Sequence, residues 1–253
     1  MIAAVSPRTV TATRYVTPLR EGGSLPGLVE GDDDGLYVLK FRGAGQGPRA
    51  LAAELIAGEL GRAIGLLVPE IVLIELDPAL GRAEPDPEIQ ELIEGSGGLN
   101  VGLDFLPGAL PFDGDADPDL AADVVWFDAL VTNVDRTPRN PNLLAWHGRM
   151  WLIDHGAALY LQHGADALAP LARRPFPSIR EHVLLPYAGS IAEADARLAP
   201  RLDGELVRGV VGAVPEEWLG GEARRDDYVT YLCERLAAPR AFAEEAEDAR
   251  RAA

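Results

Sequence analysis

Asp135 and Asn140 frame the segment Asp-Arg-Thr-Pro-Arg-Asn, and Asp154 follows fourteen residues later in Asp-His-Gly. Carboxylate and amide oxygens suit magnesium, which completes its coordination with water and phosphate oxygens. A carboxylate that is not committed to metal can receive the proton of an acceptor hydroxyl. With a cation on the phosphates, these are the parts that phosphoryl transfer from a nucleotide requires. Of the 23 cationic side chains only Lys40 is lysine, the rest being arginine. A chain that uses arginine everywhere else is expected to keep Lys40 for a task that needs a compact ammonium. The asparagines are as uneven: of four, Asn133, Asn140 and Asn142 fall within ten residues.

These residues need elements to position them. Residues 10–21 lead into Gly22-Gly23-Ser24-Leu25-Pro26-Gly27, the pattern of a strand entering a flexible glycine-rich loop. Asp32 to Gly35 reads as a turn and Leu36 to Phe41 as a short β-rich run carrying Lys40, so antiparallel hairpins are expected. Gly43, Gly45 and Gly47 precede a helix as in a dinucleotide fingerprint, but Pro48 takes the last-glycine place and no βα repeats follow. They read as a flexible connection. Leu51, Leu55, Ile56, Leu60 and Ile64 recur at helical spacing over 49–64, on a helix that also carries Glu54 and Glu59 as possible partners of Lys40. A strand over 71–76, an acidic, proline-rich loop around 77–88 and an apolar run over 99–106 lead to a boundary at Pro107-Gly108.

Helical periodicity dominates the remainder. Helices are expected over 119–131 and near 191–198, 204–211 and 227–236, with a hairpin over 143–153 turning at His147-Gly148 and a long loop to about 186. The tail from about 238 is expected to fray. The fold class is α+β with two lobes: residues 1–106 with a small antiparallel sheet and one helix, and residues 107–253 mainly helical. The helix before Asp135 and the hairpin before Asp154 set both carboxylates on one side of a cleft.

Composition narrows the partners. A chain of 253 residues, 47% hydrophobic, buries a sizeable core. Its net charge of −17 repels nucleic acid and anionic membrane, so neither is expected as a partner. The single cysteine, Cys233, rules out an internal disulfide framework, and His147, His155, His163 and His182 lack zinc spacing, so ordinary polar roles are expected for them. No Gly-x-x-x-x-Gly-Lys-Ser/Thr occurs, which excludes a P-loop enzyme. Residues 1–16 lack a basic segment followed by an apolar one, and a cytoplasmic location is expected.

The glycine-rich segment 22–27, Tyr37-Val38-Leu39-Lys40-Phe41, the helix ending in Gly65-Leu66-Leu67-Val68-Pro69, the run Asn133 to Asn142 and Leu152-Ile153-Asp154-His155-Gly156 together give a sequence that resembles the HipA-like kinase family. That family is a bacterial branch of the protein-kinase-like fold. The resemblance implies ATP bound between the lobes, with Gly22, Gly23 and Ser24 in the loop over it, Lys40 on the phosphates and Glu54 as the partner of Lys40. It implies Asp135 as the base, with Asn140 and Asp154 on Mg2+, and Ser24 as a site of regulatory autophosphorylation. Where the family usually has His and Lys, this chain has Thr137 and Arg139. The implied activity is phosphorylation of a serine or threonine hydroxyl on a protein. Two alternatives stay open: a nucleotide-binding or interaction module of the same fold with weak or no turnover, and a kinase for a small-molecule or lipid hydroxyl, although the acidic surface opposes a membrane-bound lipid.

Overall fold

The computed structural model describes residues 7–19, 25–45, 47–164 and 166–253. Runs of β-branched and aromatic residues form β1 (Thr9–Pro18), β2 (Gly27–Gly31) and β3 (Leu36–Lys40), paired antiparallel in sequence. After α1 (Pro48–Ile64) come β4 (Ile71–Leu76), α2 (Pro87–Glu94) and β5 (Gly98–Asp104). These strands close into a barrel in the order β1-β2-β3-β5-β4. The closing pair, β1 with β4, is parallel, in register Thr9 with Leu73 and Val10 with Ile74. The expected small antiparallel sheet is therefore a barrel with one parallel seam, made by segments far apart in the chain.

The stretch expected as a loop around 77–88 holds a 3-10 turn, Pro78–Ala83, and leads directly into α2. Each begins at an aspartate followed by proline: Asp77 accepts from the Ala79 N–H at 2.8 Å and Asp86 from the Glu88 N–H at 3.1 Å. Proline at the first helical position behind an Asp cap is a helix start, and here it outweighs the polar composition. Ile89 and Ile93 of α2 are buried in the barrel core with Val10, Val29, Leu39, Val72 and Ile74.

α1 belongs to a second, larger core. It is buried on nearly every side, and Gly58 lets it lie hard against the barrel: a Cβ there would stand 2.3 Å from Ile71 Cδ1. The same core takes in α3 (Pro118–Val131), whose stretch Val124–Val131 is apolar apart from Asp128 and is buried all round. Asp117 caps it, accepting from the Asp119 and Leu120 N–H groups at 3.1 and 3.0 Å. β6 (Leu110–Pro111), β7 (Leu143–Trp146) and β8 (Arg149–Leu152) form a separate antiparallel sheet. Its hairpin turns at His147 and Gly148, both with positive φ, as a two-residue turn of that hand requires.

The chain ends in α4 (Ile191–Leu198), α5 (Gly204–Gly212), α6 (Glu216–Leu219), α7 (Glu222–Leu236) and α8 (Ala241–Ala252). The expectation of a frayed tail from 238 is corrected. Phe242, Ala243, Ala246 and Ala249 are buried in the large core, and Phe242 meets Trp126 of α3 edge on, at 5.6 Å between ring centres. The charge of 238–253 hid a narrow alanine-and-phenylalanine face that needs no broad apolar stripe to dock. Among the described residues no helix is long and apolar enough to cross a membrane.

Candidate active site

β3 ends on Lys40, whose Nζ lies 2.9 Å from Asp154 Oδ1. Asp154 stands two residues past β8 with φ 56, a left-handed turn that Asp tolerates better than most residues and that takes it out of the strand line. The approach to it is pinned at Leu152, whose N–H donates to Leu67 O at 2.7 Å, and at Ile153, whose N–H donates to Asn142 O at 3.0 Å. Burial works against charge on Lys40, but Asp154, Glu54 and Asp135 together hold its pKa above the ordinary lysine value. The ammonium stays charged because three carboxylates, distant in sequence, act on it.

Glu54, on the buried face of α1, is 1% exposed. Burial disfavours its charge, yet Lys40 first, and His155 after it, bring the carboxyl down to about 2. Glu59 sits elsewhere: its carboxylate lies 3.6 Å from Arg62, and burial pushes its pKa up. Of the two glutamates on the helix, Glu54 is therefore the one in the field of Lys40. Gly156 lies close by: a Cβ there would be in ordinary contact, 3.5 Å from Glu54 Oε2 and 3.7 Å from Asp154 Oδ1.

The loop after α3 brings Asp135 and Asn140 together. Thr132 ends the helix with φ 51, and Asn133 then bridges two levels, donating to Asp128 Oδ1 and accepting from the Asp135 N–H, both at 3.1 Å. Reciprocal backbone bonds between Thr137 and Asn140, at 3.1 and 3.0 Å, close the turn. Asn140 Nδ2 donates to Asp135 Oδ2 at 2.7 Å and Asn142 Nδ2 reaches the same oxygen at 3.4 Å. With its amide nitrogen on Asp135, Asn140 keeps its carbonyl oxygen for a cation. An amide oxygen here and the carboxylate of Asp154 are hard donors that fit magnesium, which takes few protein ligands and completes its shell from phosphate and water.

A buried network beneath this loop escaped the sequence reading. Asp128 is 0% exposed and receives the Arg136 guanidinium, the Asn133 amide and His182 Nε2, the last at 2.9 Å. Arg136 also donates to the carbonyls of Asn142 and Ile153, so one side chain ties the Asp135 loop to the strand leading to Asp154. The available signal was an acid, Asp128, within the apolar run Val124 to Val131, followed by an arginine beside Asp135. His182 and His155 are buried, at 5% and 0% exposure.

His182 Nδ1 accepts the Leu184 N–H at 3.1 Å, so its proton is on Nε2, facing Asp128. Burial lowers the His182 pKa below 6.5 against the pull of Asp128, and Asp128 itself is held below the ordinary range, chiefly by Arg136 acting against its burial. All three depressed groups, His182, Asp128 and Glu54, contribute stability that is complete above their unfolded pKa values and lost as pH falls. Denaturant midpoints are therefore expected to decline first as pH drops below about 6.5 and more steeply below about 4.5. His182→Gln is expected to shrink the first decline, the remainder coming from His163, whose pKa burial also lowers, and to leave the second; a profile unchanged by that substitution would contradict a neutral, buried His182.

Lys40, Glu54, Asp135, Asn140 and Asp154 thus converge, whereas Gly22, Gly23 and Ser24 lie outside the described residues. No curated protein matches the chain. Over 97% of its length it is similar in structure to a proinflammatory kinase of Helicobacter pylori, CtkA, with a TM-score of 0.60 at 12% identity and 99% of that chain covered. A Golgi casein kinase matches with a TM-score of 0.50 at 13% identity, over 97% of this chain and 72% of the other. At such identities the likeness concerns the fold, which is that of kinases. The sequence profile of HipA-like kinases matches residues 13–238, nearly the whole barrel and helical part, and the chain belongs to the HipA-like kinase family.

Proposed function

We propose that the protein transfers the terminal phosphate of ATP, with Mg2+, to a serine or threonine hydroxyl of another protein. The observation that carries this reading is the convergence of Asp154, Glu54 and Asp135 on the single lysine of the chain. Nucleotide would bind between residues 1–106 and 107–253 with the Lys40 ammonium toward its phosphates, and Gly22, Gly23 and Ser24, outside the described residues, are proposed as binding residues with it. Glu54 keeps Lys40 charged and aimed. Asp135, steadied by the amides of Asn140 and Asn142, receives the proton of the acceptor hydroxyl as that oxygen attacks. Asp154 and Asn140 would hold Mg2+, which would supply positive charge against the phosphate oxygens. The net charge of −17 supports an enzyme whose partners are neither nucleic acid nor anionic membrane, and a cytoplasmic location is part of the same proposal.

Purified protein incubated with terminally labelled ATP and Mg2+, with and without cell extract, is expected to label protein bands at serine or threonine. Label confined to small molecules or lipid would redirect the acceptor. Tight ATP binding without transfer to any acceptor would leave a nucleotide-binding module instead.

A further inference from the structure

Buried polar atoms without a hydrogen-bond partner are scarce in folded proteins, and a cluster of them needs a physical reason. Glu54 Oε1 and both ring nitrogens of His155 form such a cluster beside the catalytic groups. His155 Nδ1 stands 3.6 Å from Glu54 Oε1, just outside the range of an N–H···O bond. The His155 ring meets Phe127 of α3 edge on, with 6.3 Å between ring centres. An apolar ring would fill this space at no desolvation cost, whereas an imidazole loses its water and gains no bond in the arrangement seen. Lys40 meanwhile rests on Asp154, an oxygen ligand in the reading above.

We propose that His155 is a positioning residue: when nucleotide draws Lys40 from Asp154 to the phosphates, His155 Nδ1–H donates to Glu54 Oε1. This bond ties α1 to the segment that carries Asp154. An approach of roughly 0.6 Å brings the two atoms into ordinary hydrogen-bond range. Glu54 then holds one orientation toward Lys40 while Asp154 is released for metal. The inference rests on the nucleotide reading and deepens it.

Lys40 is the only lysine and His155 one of 4 histidines, so labelling with 15N at lysine and histidine side chains gives few, assignable signals. His155 is identified as the signal lost in His155→Phe. A non-hydrolysable ATP analogue with Mg2+ reads binding without transfer. In wild-type protein the analogue is expected to move the His155 Nδ1 and Lys40 signals together, and in Glu54→Gln the His155 movement is expected to shrink or vanish. His155→Phe is expected to keep the wild-type melting temperature or exceed it, yet to bind the analogue about tenfold more weakly, the worth of one charge-assisted hydrogen bond. His155→Gln, which retains an N–H donor, is expected to recover most of that loss. A His155 signal unmoved by an analogue that demonstrably binds overturns the inference and leaves the nucleotide reading standing. So does equal binding by the Phe and Gln variants. Should His155→Phe fail to fold, the wild-type and Glu54→Gln spectra still decide. An analogue that does not bind wild-type protein overturns the nucleotide reading and this inference with it.

Discussion

Asp135→Asn is expected to leave nucleotide binding nearly intact while transfer collapses by about 10²–10⁴-fold, the usual contribution of a positioned general base. The substitution is nearly isosteric, and the carbonyl oxygen of the introduced amide can still accept from the Asn140 side chain that donates to Asp135 at 2.7 Å. What the variant loses is the capacity to take a proton. Asp154→Asn is expected to behave differently, weakening magnesium-dependent binding and transfer together, because a metal ligand acts before and during the chemistry. The backbone should tolerate that change, since asparagine accepts φ 56 at least as well as aspartate. Calorimetric titration of ATP with and without Mg2+, beside a transfer assay on both variants, separates the roles. Loss of nucleotide by Asp135→Asn and retention by Asp154→Asn would mean that the base and the metal ligand have been exchanged. Normal binding and normal transfer by both would remove the catalytic assignment.

For Lys40→Ala the expected loss of transfer is about 10²–10³-fold, the cost of removing one preorganised cationic donor from developing charge. The structure adds a second consequence. Glu54 would remain buried without its main electrostatic partner, and breaking a buried charge pair from one side costs about 3–5 kcal/mol of stability. Its depressed pKa should rise, so the variant is expected to lose stability most at neutral pH and to show a flatter decline toward acid. Lys40→Arg should transfer poorly too, because a planar fork does not replace a compact ammonium among three carboxylates. Chemical denaturation at pH 5 and 8 alongside the transfer assay checks both effects. Wild-type rates in the alanine variant would make Lys40 an ordinary strand residue.

Much of the site was legible because its chemistry is written in short segments. The spacing Asp135 to Asn140 is set by one turn, and a lone lysine at the end of a β-rich run is conspicuous in a chain that otherwise uses arginine. Elements with plain apolar patterning were equally readable: the expected helix over 191–198 and strand over 71–76 coincide with α4 and β4. Local signals failed where two rules competed. Around residue 78 an acidic, proline-rich composition hid an Asp-Pro helix start, and from 241 a charged surface hid a narrow docking face.

The amino-acid sequence by itself determined the candidate residue types, their chain order and the α+β class, since these depend on local spacing and on periodicity within single elements. Tertiary structure alone decided which groups meet. The parallel closure of β1 on β4 and the choice of Glu54 over Glu59 both turn on the packing of elements distant in the chain. So does the Asp128, Arg136 and His182 network. The physical reason is that a buried charge is tolerated only where opposite charges or hydrogen-bond partners surround it, and those partners arrive from other elements when the core closes.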